Sequence, residues 1–358
     1  MKNACIVIRN KRSRFSGCEF ETVPDALTDA GYFVDKIFIL SEEDAHEFAQ
    51  TVVECKNFFD NVFLVAQEAL LSSLRLRVCE LWKIPFKAAG PIEYEAKSLF
   101  CLSAGEDGAA ALRGEIIPYL QEKYSKKYEQ AIIRAVGVPS ELLQNTLNRI
   151  KEKSQEIDVL SQEQYGDIRI QISYDERAPK QVVDEAVQAL AESLNEYIYA
   201  IDDTPLNRRI YELLKLRGLK LSIAESFTGG GIASRIIEIP GASDVFYEGV
   251  VAYSNASKQR RLGVSAETLQ KQGAVSDETA YEMAAGLLEK GYCSVALATT
   301  GIAGPSSDNT EKPVGLNYIA AGTSESVFVY KYFFKGGRKA ITERAINQAL
   351  FLLYKLIK

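Results

Sequence analysis

Leu221-Ser222-Ile223-Ala224-Glu225-Ser226-Phe227-Thr228-Gly229-Gly230-Gly231-Ile232-Ala233-Ser234-Arg235 is the stretch on which the reading of this chain turns. An apolar run suited to a buried strand stops at Glu225-Ser226. A Thr and three glycines follow, and then a helical pattern begins. A strand–turn–helix of this kind puts Ser226 on a sharp bend. It also leaves free backbone N–H groups at the helix start, where the helix dipole favours an anion or an oxyanion. One place can therefore hold a nucleophile and a phosphate seat. The plainer alternative for Ser226 is a turn or cap serine, common before glycines.

Working outward, Asp202-Asp203-Thr204-Pro205 opens this region, with Thr204 as an N-cap and Pro205 at the first helical position. A helix over 206–216 closes at Arg217-Gly218, a basic last residue with Gly beyond it. Strands are expected over 220–224, 246–254, 294–299, 314–321 and 326–334. Helices are expected over 231–237, 276–290 and 338–356, with a short one after Ser254. The result is a mixed α/β layer structure, in which ligands gather where strands end. Three loops at such ends can converge: Glu225 to Gly230, Val251 to Lys258, and Thr299 to Pro305 continuing through Glu311 to Gly315. The candidate binding residues are Glu225, Thr228, Gly229, Gly230, Asn255, Thr300, Gly301 and Gly304. Each admits a purely structural reading as a cap or a tight turn. Asn255 would cap the helix after Ser254. Lys258 sits in that helix's first turn, where a cation opposes the dipole. It can serve as a base only if burial or a nearby cation keeps it neutral. Tyr253 stands at the strand end beside it. Arg338, after Gly336-Gly337, is either a solvated helix end or a contact to phosphate. Asp308 and Glu311 are most simply loop carboxylates.

The single His of 358 residues, His46, lies in a polar helical run far along the sequence from Ser226. Histidine is the usual partner of an activated serine. Its scarcity points to a lysine, tyrosinate or carboxylate as the base.

The rest of the chain divides by rhythm. Residues 1–125 alternate strands (4–8, 33–39, 61–65) with helices (45–55, 71–81, 108–122), the pattern of a parallel-sheet α/β domain. A charged joint over 123–127 leads into an α+β module, residues 126–203. Its expected elements are a strand over 129–136, a helix from about Val138 to Lys153, a strand over 167–172, a helix over 181–194 and a strand over 197–201. The charges of Asp175, Glu176, Arg177 and Lys180 mark a solvated turn. The third region is 204–358.

The composition is that of a globular protein, with 47% hydrophobic and 25% charged residues. A net charge of -6 argues against nucleic acid as a partner. No apolar run reaches the roughly 20 residues that span a bilayer, and the N-terminus reads as a strand, not a signal peptide. Six cysteines without a C-x-x-C pair read as reduced thiols in a cytoplasmic protein, and no metal site is expected.

The run Ala224-Glu225-Ser226-Phe227-Thr228-Gly229-Gly230 resembles the A-E-S-C-T-G-G signature of the CinA C-terminal family. Pro240-Gly241-Ala242-Ser243 is similar to its P-G-S-S turn. Gly249 to Lys258 resembles its G-V-V-A-Y-S-N-x-x-K. Gly273-Ala274-Val275-Ser276, Thr300 to Pro305 and Lys312 to Gly315 complete the set. The departures are Phe227 at the family's Cys, and Ser306-Ser307-Asp308-Asn309 where the family is glycine-rich. The resemblance implies nicotinamide mononucleotide deamidase activity without a cofactor. It puts the nucleophile on Ser226, the lysine on Lys258 and the tyrosine on Tyr253, with a homodimer as the working form. Residues 126–203 resemble the KH-like middle module of CinA proteins.

Residues 1–125 are similar in order and length to the molybdopterin-binding-like domain that opens CinA proteins, a domain linked to ADP-ribose pyrophosphatase activity. Arg9-Asn10-Lys11-Arg12-Ser13 stands at the family's G-D-E-L-L-like motif, and Ala66-Gln67-Glu68-Ala69-Leu70 at its G-G-L-G-P-T loop. Leu102 to Asp107 stands at its P-G-P-P-like turn. Segments without glycine cannot wrap a phosphate with backbone. A degenerate, catalytically silent domain is expected.

Overall fold

The computed structural model describes residues 1–10, 22–125, 128–307 and 311–358. Lys11, Arg12, Ser13, Cys18, Lys126, Lys127, Asp308 and Asn309 lie outside the described residues. The chain is a mixed α/β protein with three sheets among the described residues. It separates into two compact units, Met1–Gln130 with Ser173–Pro179, and Ala131–Ile172 with Lys180–Lys358.

The first unit runs β1 (Asn3–Arg9), α1 (Thr22–Asp29), β2 (Lys36–Ser41), α2 (Ala45–Phe58), β3 (Asn61–Ala66), α3 (Glu68–Trp82), β4 (Ile92–Tyr94), β5 (Lys97–Ser103), α4 (Glu106–Ala111) and α5 (Ile117–Tyr124). Its sheet has the order β2-β1-β3-β5-β4, parallel except for β4. Strand β3 is buried throughout, as a central parallel strand covered on both faces must be. Two apolar clusters, one around Trp82 and Leu64 and one around Phe63 and Leu120, line the sheet. The strand expected from Phe33 begins only at Lys36. The Phe33 carbonyl instead accepts from the Asn3 side chain, and the Asp35 carboxylate from the Asn3 backbone N–H. Between β3 and α3 there is one residue, Gln67, so the strand passes straight into a helix.

A four-stranded sheet of order β7-β8-β6-β9 is built from β6 (Tyr128–Val136), β7 (Ile157–Gln164), β8 (Asp167–Asp175) and β9 (Ile198–Ala200). Helices α6 (Ser140–Lys153) and α7 (Lys180–Leu194) interleave with them. Asp175 is not solvated as expected. It is buried, and its carboxylate accepts from the exposed Arg177 guanidinium at 2.6 Å.

The remaining elements of the second unit are α8 (Leu206–Arg217), β10 (Leu221–Glu225), α9 (Gly231–Ile237), β11 (Phe246–Val251), α10 (Asn255–Leu262), α11 (Ala266–Lys271), α12 (Asp277–Leu288), β12 (Val295–Gly301), β13 (Leu316–Thr323), β14 (Val327–Phe333) and α13 (Arg338–Ile357). Sheet order is β11-β10-β12-β13-β14, parallel up to β12 and antiparallel beyond it. Helix α8 ends on Gly218 at φ 64, as the Arg-Gly pair implied. Its start differs from expectation. Pro205 holds the cap position, and Thr204 sits in a turn closed by its N–H donating to the Asp202 carboxylate. Helix α13 buries nine residues, among them Ile346, Leu350 and Leu353 in the main core. Helix α12 packs on the opposite apolar cluster with Ala224, Val250 and Ala298. The C-terminal ends of β10, β11 and β12 thus meet on a fixed platform. Among the described residues, no helix is long and apolar enough to cross a membrane.

Candidate active site

Strand β10 delivers Ser226. The Ser226 N–H donates to the Thr299 carbonyl, extending the pairing with β12 by one residue. The chain then turns, and the Gly229 N–H donates back to the Ser226 carbonyl. Gly229 and Gly230 sit at φ 64 and 97, a left-handed pair in which side chains are strained. Ser226 is 7% exposed, enough to be reached and held firmly by its surroundings. Phe227 packs its ring against Ala303, Ile341 and Ala345, so the residue at the family's Cys position is a core contact here.

Lys258 arrives from α10. Ser254, not Asn255, caps this helix, its hydroxyl accepting from the Ser257 N–H; Asn255 is exposed. The first-turn lysine folds inward, 1% exposed, and its Nζ lies 3.0 Å from Ser226 Oγ. The amine also donates to the carbonyls of Ala252 at 2.9 Å and Tyr253 at 3.2 Å. Burial pushes its pKa from 10.5 down to about 8. Among the described residues no carboxylate pairs with it, which is why the fall is not offset. A neutral amine has two N–H donors and one lone pair. The two carbonyls take the donors, and the lone pair is left facing the serine hydroxyl.

The structure relocates several expected ligands. Glu225 is 1% exposed, and its carboxylate accepts from the N–H groups of Gly230, Ile232 and Ala233 at 2.9–3.2 Å. It occupies the start of α9 itself, so neither Glu225 nor the Gly230 N–H is free for a ligand. The Gly229 N–H is equally engaged. Among the described residues, the N–H groups of Phe227 and Thr228 have no acceptor, and they are the next two amides after Ser226. The Thr228 and Thr299 hydroxyls pair at 2.8 Å in the interior. The Thr300 hydroxyl donates to the Ala274 carbonyl at 2.5 Å, pinning the 273–275 segment. Gly301 is a close-packing glycine, since a Cβ there would strike Asn317 Oδ1 and the Phe227 ring. Arg338 donates to the Gly304 carbonyl at 2.7 Å and so ties α13 to the third loop. Tyr253 joins the site through its backbone carbonyl; its ring is 64% exposed.

Asn317 was not foreseen. It is fully buried, donates to the Gly315 carbonyl at 2.5 Å, and leaves Oδ1 without a partner. Only its polarity within an apolar strand sequence marked it. Lys312 bridges the carbonyls of Gln272 and Val275, joining two loops. Among the described residues, no group of three or more His, Cys, Asp or Glu could hold a metal. The lone imidazole, His46, is exposed on α2 of the first unit.

A buried amine within hydrogen-bond reach of a strand-end serine, on a mixed α/β sheet, has the geometry of a serine–lysine pair, with an amine where a histidine-based triad has its imidazole. Residues 203–357 match the family model described as the CinA C-terminal domain, and through this region the chain belongs to the CinA family. A "CinA-like protein" of Kosmotoga olearia is 37% identical over 240 residues, 66% of this chain and 58% of that relative. Another, of Chloroherpeton thalassium, is 47% identical over 177 residues, 48% of this chain and 42% of the relative. The competence/damage inducible protein CihA from Agrobacterium tumefaciens, a crystal structure, is 41% identical over 43% of this chain and 94% of its own, with TM-score 0.41. Where about two thirds of the chain aligns, it spans 58–60% of the length of its curated relatives.

Proposed function

We propose that the chain hydrolyses the carboxamide of nicotinamide mononucleotide, giving nicotinic acid mononucleotide and ammonia. The observation that carries this reading is the amine of Lys258, buried, unpaired with any carboxylate among the described residues and 3.0 Å from Ser226 Oγ. The resemblance to CinA C-terminal domains supplies the substrate.

In this reading Lys258 accepts the Ser226 proton as Oγ attacks the carboxamide carbon. The N–H groups of Phe227 and Thr228 hold the resulting oxyanion; one such donor is worth about 10²–10³ in rate. The lysine returns its proton to departing ammonia. It then deprotonates the water that attacks the acyl-serine, and Ser226 regains its proton as the acid leaves. Arg338 and the 300–304 loop seat the ribose phosphate, and the exposed ring of Tyr253 lies over the pyridine. The first unit takes no catalytic part, a reading supported by the direct passage from β3 to α3 at Gln67. A homodimer belongs to the same proposal, favoured by Phe328, Tyr330 and Phe333, which are exposed on edge strand β14.

The test is ammonia release from nicotinamide mononucleotide by the full chain and by Ser226→Ala. Release by the parent and its loss in the variant is the expected result. A parent that binds the nucleotide without releasing ammonia would replace the enzyme with a nucleotide sensor.

A further inference from the structure

A cleft of about 480 Å³ lies in the same compact unit as Ser226, between the β6–α6 and β7–β8 turns on one side and β14 and α13 on the other. The volume is in the range of small-molecule sites. Its walls are held by direct bonds. Asn347 of α13 donates to the carbonyls of Gln164 and Tyr165 in the β7–β8 turn, and the Gly137 N–H donates to the Gly166 carbonyl. Gly137, at φ 74, keeps its corner open, because a Cβ there would come within 2.9 Å of Gln348 Oε1. A ligand would thus meet a site already formed and would bear little ordering cost.

Two features set its chemistry. Tyr332 and Phe334 stand parallel along the wall, centroids 5.5 Å apart and planes 7° apart, and the Tyr332 hydroxyl is fixed by Gln348 Nε2 at 3.1 Å. Such a wall offers flat faces for a planar ring. Arg344 also lines the cleft. One terminal nitrogen lies 3.5 Å from a Glu163 carboxylate oxygen, while its Nε is buried with no partner. The half-exposed guanidinium keeps terminal N–H donors besides the one facing Glu163, and these are the donors that an oxyanion of a planar acid or a phosphate would meet. The hydroxyls of Ser140 and Ser161 and the amide of Gln144 add neutral polar groups that have no partner among the described residues.

We infer that this cleft binds a small molecule made of a flat heteroaromatic ring and an oxyanion, the make-up of a mononucleotide, independently of the chemistry at Ser226. Glu163 already neutralises part of Arg344, so the ring supplies as much of the affinity as the charge.

The probe is AMP, titrated into the full chain and followed by saturation-transfer NMR and calorimetry, with adenosine and ribose 5-phosphate as half-ligands. Arg344→Met removes the guanidinium but keeps an apolar stem, and Ser161→Trp fills the cleft from half-exposed β7. Expected are binding of AMP by the parent, at least about tenfold weaker binding in each variant, and unchanged melting temperatures. Each half-ligand should bind more weakly than AMP. No AMP binding by the parent, or equal binding in parent and Ser161→Trp, would overturn the inference. Ribose 5-phosphate binding as tightly as AMP would remove the ring seat and with it the assignment.

Discussion

The chemistry of the site rests on where one amine ends. Lys258 offers its proton-binding capacity only because burial without a carboxylate partner pulls its pKa to about 8. The proposed reaction then has a clear pH dependence. Below about 8 the amine is protonated and cannot accept the Ser226 proton, so kcat/KM should fall about tenfold per pH unit. Above it the rate should level off. A pH–rate profile flat from 6 to 9 would remove the lysine from its role. The same shift makes the folded state more stable as pH rises from about 8 toward 10.5, since the unfolded lysine keeps a proton that the folded one has shed. Lys258→Met should lower kcat by about 10²–10⁴ while preserving the fold. Glu225→Gln tests a different residue. It replaces one acceptor oxygen with a donor facing backbone N–H groups, and should cost about 1–3 kcal/mol in chemical denaturation.

These residues were unequally visible in the sequence. Ser226 stood out by its place between a strand and a run of glycines, while Lys258 opposed its helix dipole and took its role from the family resemblance. Glu225 could not be told from a ligand, because a carboxylate that turns back onto its own helix start has the same one-dimensional signature. Asn255 and Ser254 both suit a cap, and only backbone geometry chose the serine.

At the scale of elements, the base is placed by a helix contact. Gly286 of α12 lies against the Leu262 carbonyl at the end of α10, where a Cβ would collide with backbone. Gly286→Ala must push α10 aside, and Lys258 travels with it. A loss of about 1–3 kcal/mol from overpacking is expected, with a drop in kcat larger than any rise in KM. Steady-state kinetics at matched folded fraction would show whether the two helices set the amine. Most elements were legible where hydrophobic periodicity was long. The helices at 140–153 and 338–357 follow their apolar stripes. Strand β7 escaped notice because only Ile157 and Val159 alternate before Leu160 turns outward and the run becomes polar. Strand β11 stopped at Val251, short of expectation, since the carbonyls of Ala252 and Tyr253 turn to the lysine.

For the whole molecule, the proposed reacting groups come from the end of β10 and from α10, which follows its neighbour β11, while the first unit keeps an α/β core without a backbone cradle after β3. With Ser226→Ala in the full chain, incubation with ADP-ribose and magnesium should yield no AMP; release of AMP would restore a pyrophosphatase role to residues 1–125. One helix spans both proposed ligand regions of the second unit. Arg338 opens α13 at the Gly304 loop, and Arg344 meets the cleft six residues on, about 9 Å along the axis. That separation is about one Debye length at physiological ionic strength, roughly 8 Å, and falls well inside the roughly 30 Å of 0.01 M salt, where the coupling should be read. Two phosphates bound at once would repel along a rigid rod, so filling either seat loosens the other by the same factor. Anti-cooperative titration, fading in molar salt, would be the signature of that shared helix.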